Sequence, residues 1–503
     1  MRIQRPWGCT FRGGGDTHSL DRGGFFAADL PRFVVESDAE IWYNIGHMKK
    51  LGSLIVALVG LLMGSDGVAA AFEFDAGADL RIRHELMKHV PGLPGGGYLS
   101  TAKAGKFKNQ MRFRPRVWFE VKAFENWRLY TRLTDEFRWN PEPYSNKTTF
   151  PDEVIIDNLY LEGKDLLDGV LDLSIGRQDI YNYCGLDHVF VDGTPGDGSR
   201  TVYSDMVKGA LKINKDTRLD FFLLHNCDDN VLRWGTKRGK HRALAGLSGS
   251  TDDPEMDDWG WGWILSAKAA DWLPFQIFSV NKITESFWLN GKKHPWTYRE
   301  MYGVKVMPQL TEEWSLQFEA MGQMGENDDE DFLSGWSTYA GVNWREAGTG
   351  AKMFGSLGFH TMSGDKDAAN QDGGHHGWDP MWSRGVNDSE IFLYGTHYGM
   401  AWWSNMMFLK LTGGIDLGKR HKLTVSTGPM FATVNDDLGG GDGNFKGMLS
   451  VARYDFPIWT ADAAKGERFE VFGHLYAELF NPGDYFETDK PAWFVRWQID
   501  FKF

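Results

Sequence analysis

Apolar and polar residues alternate strictly along several stretches of the chain. From Arg112 onward, Phe113, Pro115, Val117, Phe119 and Val121 share one parity, and Arg112, Arg114, Arg116, Trp118, Glu120 and Lys122 share the other. Successive side chains of a strand point to opposite faces, so a period of two predicts β-structure. Between residues 73 and 83, Phe74, Ala76, Ala78, Leu80 and Ile82 alternate with Glu73, Asp75, Asp79, Arg81 and Arg83. Between 128 and 138, Leu129, Thr131, Leu133 and Phe137 alternate with Arg128, Tyr130, Arg132, Thr134 and Glu136. The last eleven positions set Trp493, Val495, Trp497, Ile499, Phe501 and Phe503 against Phe494, Arg496, Gln498, Asp500 and Lys502. An apolar row opposite a row of three arginines suits a strand with lipid on one side and a polar lumen on the other.

Repeated from Phe72 to the end, the pattern predicts about 18 strands. Among them are segments at 200–212, 336–345 and 401–413. Their connections alternate in length. Those at 88–106, 139–152, 179–199, 227–257, 285–296, 325–335, 363–400, 434–445 and 481–491 are long or rich in Gly and Asp. Those between, such as Glu125-Asn126, Asn214-Lys215-Asp216 and Asp271-Trp272, are mostly short. Long outer loops alternating with short periplasmic turns imply an all-β chain, a single transmembrane antiparallel β-barrel. An even strand number closes such a sheet and leaves no backbone edge in lipid.

Composition fits that reading. Mean hydropathy is −0.40 with 42% hydrophobic residues, as expected when half of every strand faces water. Gly 60, Trp 22 and Phe 34 against Pro 18 favour tight turns and aromatic girdles. No apolar run reaches the roughly 18 residues of a membrane-spanning helix. The net charge of −14 argues against a nucleic-acid partner. Acidic clusters such as Asp228-Asp229, Asp252-Asp253 and Asp328-Asp329 fall in long loops, so much of the charge is expected outside the pore.

Met48-Lys49-Lys50, the apolar run from Leu51 to Met63 and the small residues Ala69-Ala70-Ala71 have the order of a secretory signal peptide. The expected division is a non-translated or disordered extension over 1–47, a signal peptide over 48–71 and the barrel over 72–503. Of three cysteines, Cys184 and Cys227 would reach an oxidising compartment, where a pair persists.

Three strings resemble the alginate-export family of outer-membrane barrels. Ile175-Gly176-Arg177-Gln178 closes a strand and is followed by Arg200 and Asp205. Ser363-Gly364-Asp365-Lys366-Asp367 precedes Trp378-Asp379-Pro380-Met381-Trp382. Phe480-Asn481-Pro482-Gly483-Asp484-Tyr485 stands before the closing strand. The resemblance implies a monomeric 18-stranded barrel, of a family whose best-known member passes an acidic polysaccharide through an arginine-lined constriction. It also implies outer-membrane lipid, lipopolysaccharide and the barrel assembly machinery as partners, and no cofactor.

A pore for a polyanion needs positive charge in a narrow lumen, and arginine offers carboxylates a planar two-pronged donor. By parity the pore-lining candidates are Arg81, Arg83, Arg112, Arg114, Arg116, Arg128, Arg132 and Arg496. Closure puts the last strand beside the first, so all eight share one wall. Arg177 shares parity with Ile175 and needs a bulge to turn inward; Asp205 is its candidate partner, or that of Arg200. Glu73, Asp75, Asp79, Glu120, Glu136 and Asp500 face the same lumen, so the arginines either select anions or brace the wall in charge ladders. The Trp259/Trp261/Trp263 and Trp402-Trp403 sets read as interface-belt residues before sugar stackers. His375-His376 beside Asp372 and Asp379 lacks a metal-ligand spacing. No hydrolase, zinc-protease or P-loop motif is present. The function expected is a non-enzymatic channel for an anionic saccharide, alginate-like. The rivals are a less selective porin, a barrel-anchored carbohydrate-active enzyme and a soluble carbohydrate-binding protein.

Overall fold

The computed structural model describes residues 73–90, 108–123, 126–141, 147–148, 150, 153–179, 203–226, 233–235, 258–289, 292–328, 331–348, 350–367, 376–382, 389–392, 404–436, 438–461 and 468–503. The expected extension and signal peptide, Arg200, Cys184, Cys227, His375 and Trp402-Trp403 lie outside these residues.

The alternating segments form long antiparallel strands. They are β1 (Glu73–Lys88), β2 (Lys108–Ala123), β3 (Trp127–Asp135), β4 (Glu153–Asp165), β5 (Leu171–Gln178) and β6 (Ser204–Asn214). There follow β7 (Thr217–Asn226), β8 (Asp258–Ala270), β9 (Leu273–Thr284), β10 (Thr297–Val306), β11 (Trp314–Asn327) and β12 (Phe332–Arg345). The last are β13 (Lys352–Met362), β14 (Met406–Gly418), β15 (His421–Phe431), β16 (Phe445–Trp459), β17 (Glu470–Pro482) and β18 (Ala492–Lys502). Each pairs with its sequence neighbour, and β18 pairs back onto β1 from Asp79↔Lys502 to Lys88↔Trp493. The 18-strand sheet is therefore closed. A short extension of β3, Phe137–Asn140, continues the ladder on β2, and Arg233–Gly235 pairs with the start of β4.

The strands fall within a few residues of the periodic pattern. One clear offset is β14, expected over 401–413 and found at Met406–Gly418. Thr412-Gly413-Gly414 reads as a turn in isolation. In the sheet Gly413 and Gly414 pair with Gly355 and Phe354, and the Phe354 ring fills the space a side chain on Gly414 would take. Tertiary packing here overrides the local glycine signal.

The outward parity carries exposed apolar side chains, among them Val117, Phe119, Leu223, Ile277, Leu357, Leu475 and Val495. Trp261 and Trp263 are on this face, and Trp259 stacks on His225 with ring centroids 3.8 Å apart. Trp261 and Trp263 thus point outward, as the belt reading requires. The inward face departs from the simple expectation of a polar lumen. Over β6–β15 it bears Met206, Phe222, Leu224, Ile264, Phe278, Val280, Met301, Met321, Met362 and Phe408, all buried in one cluster with Trp378, Met381, Trp382, Ile391 and Phe392. Those last five belong to the stretch between β13 and β14, expected as an outer loop. Its described parts fold into the barrel and cover the apolar half of the inner face.

Candidate functional site

The other half of the inner face is ionic. Register sets Arg81 directly opposite Arg114, and Arg83 opposite Arg112. Like charges across a ladder repel, so this arrangement persists only with counter-charges between them. Glu136, at the break between β3 and its extension, bridges two of them: Arg112 Nη2 donates to its Oε1 at 2.5 Å and Arg81 Nη2 to its Oε2 at 3.3 Å. Glu85 links Arg112 to Arg83, with Arg83 Nη1 and Arg112 Nη1 each at 3.4 Å and Gln110 Nε2 donating at 2.5 Å. Arg83 reaches across to β18, where Gln498 Oε1 accepts from its Nε at 2.8 Å. Arg81, Arg83, Arg112, Arg114 and Arg496 are each at most 2% exposed. Desolvated charges of this kind persist only when paired.

Toward the turn end the wall opens. Arg116 pairs with Asp79 at 2.8 Å, and Arg128 with Glu120 at 3.0 Å and Glu162 at 2.7 Å. Arg132 holds Asp157 on β4 at 2.9 Å and Asp179 at 3.0 Å. Asp157 is fully buried at a register shift between β3 and β4, and simple parity counting has no means of finding it. Arg177 turns inward and is buried. Gly176, at φ 128°, bends β5 so closely against the Leu159 carbonyl that no other residue fits. Arg177 then pairs with Asp205 at 2.8 Å and lies over the Tyr203 ring. Asp205 therefore has Arg177 as a partner.

The inserted stretch is anchored at two places on the inner face. At the first, Trp382 lies on Gly260 and Leu224, edge-on to Phe222. Lys282 Nζ donates to the Met381 carbonyl at 3.2 Å, Arg299 pairs with Asp379 at 3.1 Å, and Gln323 bonds the Asp379 backbone at both ends of its amide. At the second, Glu478 of β17 accepts from Ser389 Oγ and from the backbone N–H groups of Glu390 and Ile391, while Glu390 pairs with Arg496 of β18 at 2.5 Å. The first anchor spans β7–β11 and the second β17–β18. In the ring order of the strands these lie on nearly opposite sides.

The structure thus brings together Arg81, Arg83, Arg112, Arg114, Arg116, Arg128, Arg132 and Arg496 on adjoining strands, with Arg177 on β5 and Asp205 on β6, two and three strands beyond β3. Parity alone also contained Glu85, Lys282 and Arg299. Glu390 carried no signal, and Asp379 only that of its family string and of its nearness to His375-His376, because only the fold of the inserted stretch puts their carboxylates against the wall. His376 accepts or donates to Ser334 Oγ at 2.8 Å. Among the described residues no group of His, Cys, Asp or Glu forms a metal site.

A closed sheet with a lipid-ready belt and a charged interior finds its counterparts among solved structures. OpdL of Pseudomonas aeruginosa superposes with a TM-score of 0.50 at 11% identity, over 86% of this chain and 99% of that one. OccAB2 of Acinetobacter baumannii gives 0.50 at 10% identity, over 85% and 98%. The outer membrane protein OpdK of Pseudomonas aeruginosa, solved with vanillate, gives 0.50 at 10%, over 85% and 98%. The fold is that of a bacterial outer-membrane barrel. No family model and no curated protein matches the chain, so the alginate-export resemblance rests on its three strings alone.

Proposed function

We propose that this barrel is an outer-membrane channel for hydrophilic, anionic solutes, with uronate-bearing, alginate-like saccharides as the class that fits its wall best. The observation that carries the reading is the contiguous arginine wall across β18, β1, β2 and β3. Guanidinium groups fixed on rigid strands in a narrowed, low-dielectric lumen raise the local concentration of anions. The inserted stretch, docked on both sides, supplies the narrowing. OpdK, which shares the fold, was solved with vanillate, itself a carboxylate.

The carboxylates interleaved with the arginines favour a second reading, a channel with little charge preference whose ladders brace the wall. Planar-bilayer recording under a salt gradient separates the two. Anion selectivity together with current block by uronate oligomers supports the first reading. A reversal potential at zero, with no block, supports the second.

A further inference from the structure

Arg112, Arg116, Arg128 and Arg132 meet carboxylates carried by neighbouring strands. Arg496 receives Glu390 from the inserted stretch. Its surroundings have the make-up of a carboxylate subsite. The guanidinium lies over the Tyr476 ring at 5.0 Å and near Phe494 at 5.8 Å. Its Nε donates to His474 Nε2 at 3.0 Å, which fixes the plane of the fork. Its Nη1 meets the Glu390 carboxylate at 2.5 Å. The cation is 1% exposed, stacked on aromatic faces and held in plane, an arrangement that strengthens a charge-assisted contact.

Glu390 is presented by a short segment with its own independent fastening. Ser389 Oγ and the N–H groups of Glu390 and Ile391 all go to Glu478, and Phe392 packs edge-on against Phe480 at 5.2 Å. The backbone of the segment would stay fastened if the Glu390 carboxylate left Arg496. Register places Glu85 opposite Arg496 on β1, so a solute carboxylate arriving there stands beside the Arg83 and Arg112 ladder.

Resting on the anionic-channel reading above, we propose that Arg496, oriented by His474 and Tyr476, is a carboxylate-binding subsite of the pore. Glu390 occupies it as an internal surrogate, and the carboxylate of a passing uronate displaces it. The chain competes with its own solute, so residence at the subsite is short and the lumen does not hold a buried cation without a counter-charge when empty.

The test uses the full-length barrel in planar bilayers, with galacturonate oligomers as the blocking probe and a neutral oligosaccharide of equal length as the control. Glu390→Gln keeps the size of the side chain and removes the competing charge. The half-blocking concentration of galacturonate is expected to fall about tenfold, as for a site nine-tenths occupied by its surrogate, with block by the neutral sugar unchanged. Ser389→Ala loosens the fastening and leaves the Glu390 charge, so it should not tighten galacturonate block. Arg496→Met should abolish the gain in the Glu390→Gln background. Equal block by wild type and Glu390→Gln overturns the proposal. An equal gain from Ser389→Ala also overturns it, because loosening alone would then explain the effect. A wild-type channel without anion preference sinks the functional reading itself, whereas an anion-selective channel indifferent to Glu390→Gln sinks only the surrogate.

Discussion

Trp382 packs against Gly260, the edge of its ring occupying the space that a side chain at that position would fill. The relationship explains a peculiarity of the sequence Trp259-Gly260-Trp261-Gly262-Trp263. The tryptophans point outward to the lipid boundary, and the glycines between them leave a bare inward surface. That surface is the socket for the inserted stretch.

Gly260→Val should therefore evict Trp382 and loosen the first anchor. Single-channel conductance is expected to rise, as it should for Trp382→Ala. Combining the two should add little, since both remove one contact. A conductance unchanged in both single variants would mean the insertion does not narrow the pore.

Arg112→Ala combined with Arg114→Glu should abolish or reverse anion preference while the barrel still assembles. The control is Val117→Arg, on the lipid face, where a charge near mid-membrane costs about 2–4 kcal/mol. It should impair assembly and leave the selectivity of surviving channels alone. Reversal potentials and heat-modifiable gel mobility read the two effects. If the double variant kept its reversal potential, Glu85 and Glu136 would already cancel these arginines.

Glu136→Leu removes the carboxylate that two buried guanidinium groups, Arg81 and Arg112, share. Removing one partner of a buried pair costs about 3–5 kcal/mol, and denaturation in detergent should show a loss on that scale. Glu73→Ala breaks only an exposed pair with Lys122 at 3.4 Å and should change stability by about 0–1 kcal/mol. Equal losses would contradict the burial of the ladder.

Gly176→Ala should destabilise the barrel by about 1–3 kcal/mol, the scale of a strained backbone residue, through φ 128° and the Leu159 carbonyl. Arg177→Leu alone should not reproduce the backbone strain. Thermal midpoints of the two variants decide it, and a Gly176→Ala barrel as stable as wild type would mean β5 can straighten.

The two-residue period made the wall legible because it needs only parity: Arg81, Arg83, Arg112, Arg114, Arg132 and Arg496 all face the lumen where alternation places them. It failed wherever alternation is broken or absent. Asp157 sits at a register shift, and Arg177 depends on a glycine bend that the strand pattern alone would reject. The apolar inner residues Phe222, Leu224 and Phe278 look like lipid-facing ones until Trp378 and Trp382 cover them. Glu390 and Asp379 lie in an irregular stretch, where no period tells inside from outside. Sequence patterning reports the direction of a side chain within an element; it does not report which distant segment will lie over it.

Arg83 and its partner Gln498 are 415 residues apart, and the Glu390 contact to Arg496 also waits for the last strand. Contacts of such long sequence separation are slow to form, because the entropy of bringing the ends together is lost before they contribute. The charge lattice can therefore be complete only when β18 meets β1, in the step that seals the sheet. Up to that moment the arginines of β1 and β2 lack part of their neutralising neighbourhood, and their repulsion opposes collapse of the unsealed sheet onto itself. On the anionic-channel reading proposed above, selectivity is acquired all at once, at closure, and a chain truncated before Ala492 would lack it even if its other strands had paired.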